Sequence, residues 1–105
     1  MTPKRGEVIR INLNPTQGRE QQGEARPCVV ISNTKYNLAR DGFAVVMPIT
    51  STARPEIKTM VLISEGFKTY GSSVLVEQVR SVDLSTRWWK SIGDILPTDW
   101  VDRIV

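Results

Sequence analysis

Apolar positions in this chain recur at period two or in short unbroken runs, and polar turns separate them. Residues 6–13 alternate. Ile9, Ile11 and Leu13 fall on one face and Arg10 and Asn12 on the other, as in a half-buried strand. Residues 26–32 carry the run Cys28-Val29-Val30-Ile31, which predicts a central strand buried on both faces. Residues 43–50 read the same way. Pro48 has no N–H to give to a ladder, so it predicts an edge, a bulge or a strand end at that point. Further strands are predicted over 59–63 and 91–95, with a long one over 73–83 that begins continuous and then alternates. Residues 33–40 predict one or two helical turns capped by Asn33, and 84–88 a short helical turn. A helix over 97–105 opens with polar and acidic residues, and at that length it must dock on something to be stable. Five or six short strands with one terminal helix predict a mainly β fold, a small and strongly curved antiparallel sheet or barrel.

Composition narrows the class. The chain has 105 residues, 40% hydrophobic and 24% charged, which fits one folded domain spanning 1–105 with a modest core. A dimer interface is a natural second source of burial for a core of that size. No apolar run approaches membrane-helix length, and the N-terminal basic residues precede no signal-like segment, so a cytoplasmic protein is expected. The net charge is +3 and the isoelectric point about 9.4, which permits an anionic partner without demanding one.

There is no histidine. That removes Ser-His-Asp and Cys-His catalysis and most zinc sites. The single cysteine, Cys28, cannot form an internal disulfide, and its apolar neighbours point to packing. No phosphate-cradling glycine loop is present. An enzyme built from this chain works with Arg, Lys, carboxylates, hydroxyls and backbone amides, and no cofactor or metal is expected.

The candidate chemistry sits at strand ends. A polar loop, Gly18-Arg19-Glu20-Gln21-Gln22-Gly23-Glu24-Ala25, ends in Arg26-Pro27 and then the buried run begins. An arginine there holds a planar, permanently charged fork at a defined place, suited to a phosphodiester. In isolation the same residue also reads as a surface charge at a strand start. The other strand end is Thr50-Ser51. If the strands are antiparallel neighbours, Arg26, Thr50 and Ser51 share one rim. Two guanidinium donors and a hydroxyl can then grip phosphate oxygens. Glu20, Glu77 and Gln78 taken singly are common surface residues, although a glutamine can read a base edge. Arg19, Arg80 and Arg87 are candidate phosphate contacts or solvated charges. Trp88-Trp89 either stack bases or pack, and their place between a turn and a strand favours packing. The spacing of Trp100 from Arg103 and Ile104 also favours packing.

Five segments in order, Arg5-Gly6-Glu7-Val8, Asn14-Pro15-Thr16-Gln17-Gly18-Arg19-Glu20-Gln21, Ala25-Arg26-Pro27-Cys28-Val29-Val30-Ile31, Pro48-Ile49-Thr50-Ser51 and Glu77-Gln78-Val79-Arg80-Ser81-Val82-Asp83, resemble the MazF/PemK toxins of bacterial toxin–antitoxin pairs. The resemblance implies an SH3-like barrel that forms a homodimer. It implies a metal-independent, sequence-specific endoribonuclease, an mRNA interferase, that cuts single-stranded RNA to 2′,3′-cyclic phosphate and 5′-hydroxyl ends. It also implies inhibition by a cognate MazE-like antitoxin. The family's arginine, threonine, loop glutamate and base-contacting glutamine fall on Arg26, Thr50, Glu20 and Gln78. Asn14 stands where an aspartate is usual. Leu75 stands where some members carry a catalytic arginine, so a mechanism needing that arginine is excluded. Ser51, Arg19, Arg80 and Arg87 complete the expected RNA contacts. Two rival readings have the same fold and no chemistry: a CcdB-like toxin that binds DNA gyrase, and a barrel that binds nucleic acid without cutting it. The Arg26 and Thr50 motifs argue against the first.

Overall fold

The computed structural model describes residues 2–14, 25–39, 42–51, 60–63 and 72–105. Seven antiparallel strands form one curved sheet: β1 (Glu7–Ile11), β2 (Arg26–Val30), β3 (Phe43–Thr50), β4 (Met60–Leu62), β5 (Ser73–Leu75), β6 (Arg80–Asp83) and β7 (Trp89–Ile95). The order across the sheet is β4-β5-β3-β2-β1-β7, and β6 pairs with β3 beside β5. Helix α1 (Thr34–Ala39) links β2 to β3, and helix α2 (Thr98–Ile104) ends the chain. The mainly β, antiparallel, curved fold with a C-terminal helix is therefore as the pattern predicts. The curl stops short of a closed barrel, because among the described residues no ladder joins the end strands β4 and β7.

The two faces of the sheet each have a core. On one face Ile9, Ile11, Cys28, Val30, Ala44, Val46 and Val82 pack with Leu13 and Leu84. On the other, Val8, Val29, Met47, Ile49 and Val74 pack with Ile63, Leu96 and the α2 residues Val101 and Ile104. Burying each such side chain stabilises the fold by about 1.5–3 kcal/mol. Double-sided burial explains why β2 and β3 read as unbroken apolar runs. The docked α2 meets the condition set by its short length. Trp100 is half-buried against this second core, so it packs as expected. The tryptophan pair divides: Trp89 packs on the first core, whereas Trp88 is 53% exposed.

Two predicted elements differ. The strand over 73–83 is broken into β5, a 3₁₀ turn (Val76–Gln78) and β6. Continued from Val46↔Arg80, the β6 ladder would set Ile49 opposite Glu77, but Val74 is there instead. The turn takes up the difference and carries the chain round a corner of the sheet. Pro48 lies on β3 in the gap between the two ladders, which is the break its missing N–H requires. Residues 84–88 form turns and bends in place of a helical turn, and β7 begins at Trp89, ahead of the predicted 91. Local side-chain bonds explain this. Asp83 Oδ1 accepts from the Ser85 N–H (3.0 Å) and Thr86 Oγ1 donates to the Asp83 carbonyl (3.1 Å), a local alternative to helix.

Around α1, Asn33 caps as predicted, with Oδ1 accepting from the Lys35 N–H at 2.8 Å. Asn37 is fully buried. Its Nδ2 donates to the Pro3 carbonyl (3.0 Å) and its Oδ1 accepts from Ser32 Oγ, which in turn accepts from the Val45 N–H (3.0 Å). This polar chain ties the N-terminal segment, α1 and β3 together.

Candidate active site

The site is built by the β2–β3 ladder. Its printed pairs run Val30↔Val46, Val29↔Met47, Cys28↔Pro48. The ladder stops at Cys28↔Pro48, and Arg26 and Thr50 lie two residues beyond it, at the adjoining ends of β2 and β3. Arg26 Nη2 also reaches the Ile49 carbonyl at 3.5 Å, which brings the guanidinium over the end of β3. On its other edge Thr50 pairs with Ser73. Thr50 and Ser73 are nearly buried, at 8% and 6% exposed, while the next residue, Ser51, is exposed. The two strands are antiparallel neighbours, as the shared rim requires; Arg26 and Ser51 line one cavity, and Thr50 stands beside Ser51 without lining it.

A cavity of about 550 Å³ opens at this rim, lined by Arg10, Arg26, Pro27, Ile49, Ser51, Ser72 and Ile92. Two guanidiniums, two hydroxyls and an apolar wall face one space, and no carboxylate lines it among the described residues. Such a surface suits an anionic group attached to a flat apolar one.

Behind the rim, Cys28 is wholly buried, and burial pushes its thiol up to about 12 against the opposing pull of Arg26 and then Arg80. The thiol stays neutral, so Cys28 packs and does not act as a nucleophile. The registers Val30↔Val46 and Val46↔Arg80 put Arg80 on the sheet face of Val30 and Cys28. Arg80 is half-buried, with Nη1 at 3.5 Å from the Leu13 carbonyl. Gln78 ends the corner turn and is half-buried, while its neighbour Glu77 is exposed. Arg87 has a task of its own. Its Nη1 donates to the carbonyls of Asn12 and Asn14, both at 2.8 Å, and so clamps the end of β1 where the long loop departs. Arg19 and Glu20, expected from that loop, lie outside the described residues. Arg10 and Ser72 line the cavity without having been singled out in the sequence. The signal for Arg10 was its place on the polar face of β1, but only the pairing Arg10↔Pro27 reveals that it borders Arg26.

The family described as PemK-like, MazF-like toxin of type II toxin-antitoxin system matches residues 4–104. The chain belongs to this family. Within it, the endoribonuclease toxin ChpB of Escherichia coli K12 is 38% identical over 93 residues, covering 86% of this chain and 78% of its own length. Among solved structures, MazF from Deinococcus radiodurans superposes with a TM-score of 0.83 at 28% identity, over 99% of this chain and 90% of that one. The MazE–MazF complex from the same organism gives 0.77 at 28% identity, over 99% and 89%. MazF/PemK-type toxins are thus what the five sequence segments resemble, what the whole chain matches and what its fold superposes on.

Proposed function

We propose that this chain is the toxin of a type II pair, a metal-independent, sequence-specific endoribonuclease that cleaves single-stranded RNA and leaves 2′,3′-cyclic phosphate and 5′-hydroxyl ends. It works in the cytoplasm as a homodimer, and a MazE-like antitoxin inhibits it. The observation that carries this reading is the cavity at the end of the β2–β3 ladder, where Arg26 and Ser51 stand with Arg10 and Ser72 in a lining rich in guanidinium and hydroxyl groups. The relatives named as endoribonuclease toxins support it, as does the MazE–MazF likeness.

RNA supplies its own nucleophile. The 2′-hydroxyl gives its proton to water and its oxygen bonds to phosphorus, the bond from phosphorus to the 5′-oxygen breaks, and that oxygen takes a proton from water. The protein has to align these atoms and stabilise the extra negative charge at the pentacoordinate stage. Arg26 is the charge-stabilising group, with two N–H donors for the equatorial oxygens. Thr50 positions the phosphate or relays a proton. Glu20 orients Arg26. Arg19, Ser51, Gln78, Arg80 and Arg87 hold the strand, with Gln78 reading a base edge. Single strands are required, because only splayed bases can be read in this way.

The test is incubation of the purified protein with a defined single-stranded RNA in EDTA, followed by mapping of the fragment ends. Cleavage to cyclic phosphate and 5′-hydroxyl termini is expected, and loss of cleavage in Arg26→Ala. Intact RNA together with inhibited DNA gyrase would overturn the reading in favour of a CcdB-like toxin. Salt-dependent RNA binding without product would overturn it in favour of a plain binding module.

A further inference from the structure

We infer that Arg10 is a second phosphate anchor, which grips the RNA backbone one linkage away from the bond that Arg26 acts on. The inference rests on the nuclease reading of the Arg26 rim and adds a residue to it.

Arg10 sits on β1 opposite Pro27, and its neighbour Ile11 sits opposite Arg26. The two arginines therefore leave adjacent rungs of the same ladder toward opposite faces. At the sheet end they converge, for both line the same cavity with Ser51, Ser72 and the apolar Pro27, Ile49 and Ile92. Arg10 is exposed, and its one side-chain hydrogen bond among the described residues, Nη1 to the Ala25 carbonyl, is long at 3.4 Å. Ion pairs among the described residues are Arg5–Asp102 and Arg103–Asp99, and Arg10 takes part in neither. An exposed guanidinium held by one long carbonyl contact keeps most of its N–H donors available to an anion. An RNA strand offers such anions at every linkage. With Arg26 on the scissile phosphate, the remaining wall of Pro27, Ile49 and Ile92 suits the flat face of a base, and Arg10 borders that wall where the next phosphate would fall.

The local backbone supports the placement. The β1–β7 register shifts between Val8 and Ile9, from Val8↔Asp94 to Ile9↔Ser91, so Ile92 and Gly93 bulge out of the ladder. Gly93 has a φ of +81°, open to glycine and strained for other residues. The bulge re-aims Ile92 into the cavity beside Arg10, a common use of bulges near sites.

The experiment compares wild type, Arg10→Ala and Arg10→Lys in two assays. Cleavage of a single-stranded RNA gives KM and kcat at several salt concentrations. Binding of an uncleavable 2′-O-methyl copy of that RNA gives the salt slope directly. Arg10→Ala should raise KM about tenfold near 0.1 M salt with kcat within about twofold. Its salt slope should fall by about 0.7, the value of one phosphate contact on a single strand. Arg10→Lys should restore the slope and only part of the affinity, since lysine keeps the charge and loses the fork. An unchanged KM and slope in Arg10→Ala would overturn the inference, as would a collapse of kcat at constant KM. Thermal melts of both variants confirm folding, and if Arg10→Ala were unstable Arg10→Lys and Arg10→Gln would carry the comparison. If wild type binds the uncleavable RNA but cuts nothing, the nuclease reading fails and the anchor is still judged by its slope. If wild type cuts and Arg10→Ala behaves identically, the anchor fails and the nuclease stands.

Discussion

Cys28 lies opposite Pro48 in the β2–β3 ladder, two residues in from Arg26 and Thr50 at the strand ends. Cys28 and Pro48 are both buried, and the half-buried Arg26 turns outward from this packed end into the cavity. A guanidinium held at such a place is less screened than one in open solvent, which strengthens its action on a developing phosphorane charge. Arg26→Ala should therefore lower kcat by about a hundredfold to a thousandfold or more, while the urea midpoint moves little. Arg26→Lys should recover only part of the rate, because the fork is lost. Thr50→Val, close to isosteric, should give a smaller loss in kcat. An RNA cleavage time course with a parallel urea titration reads both effects. Near-normal cleavage by Arg26→Ala would reject its role.

Cys28 provides a pH prediction. Its thiol is held at about 12 in the folded chain, against an ordinary value of 9.0. The folded state favours the neutral thiol, and the unfolded state ionises first as pH rises. The resulting stabilisation is complete below pH 9 and is lost between about 9 and 12, at a slope of up to about 1.4 kcal/mol per pH unit. Cys28→Ala should remove this component of the alkaline stability loss, which urea titrations at pH 8, 9.5 and 10.5 would show. In the native protein at pH 8, iodoacetamide should leave Cys28 unlabelled until denaturant is added. Rapid native labelling would contradict the buried, neutral thiol.

Much of this molecule could be read locally. Period-two alternation marks β1, and unbroken runs mark β2 and β3, because strands buried on both faces have no polar side to show. What the pattern misses is set by pairing between distant segments. The residues of 73–83 look continuous, yet β3 changes partner from β6 to β5 along its length, and the chain turns between them. The places of Arg26 and Thr50 at strand ends were legible because both strands are strongly marked. Arg10 was not, since a charged residue on the polar side of a strand has no local sign of what it will border. Arg87 is similar: nothing near it in sequence tells that the Asn12 and Asn14 carbonyls lie within reach.

The buried Asn37 should be costly to replace. Asn37→Ala leaves the Pro3 carbonyl and the Ser32 hydroxyl short of a partner inside the protein. A loss of about 1–3 kcal/mol is expected from such desolvated groups. Chemical denaturation measures it directly. Since Asn37 lies away from the Arg26 rim, kcat under native conditions should stay within about twofold. A large fall in kcat with unchanged stability would show that α1 is coupled to the site.

Gly6 leaves less room for a side chain than Gly42 does. Its φ is +89°, and a Cβ there would stand 2.2 Å from the Leu96 carbonyl oxygen. The closeness follows from two hydrogen bonds: the Gly6 N–H donates to the Val30 carbonyl at 2.7 Å, and the Gly6 carbonyl accepts from the Leu96 N–H at 2.8 Å. Gly6 thereby fastens the start of β1 both to β2 and to the segment that leads into α2. Gly6→Ala must either push Leu96 away and break this bracket or move Gly6 to negative φ, which breaks it as well. The left-handed backbone alone costs about 1–2 kcal/mol in a residue with a side chain, and the clash adds to that. A total loss of at least about 2 kcal/mol is expected, with α2 the first element to loosen. Hydrogen exchange should show early loss of protection at Val101 and Val105, whose N–H groups donate to Pro97 and Val101. Gly6→Ala with wild-type stability and undisturbed exchange in α2 would rule out the bracket as a structural constraint.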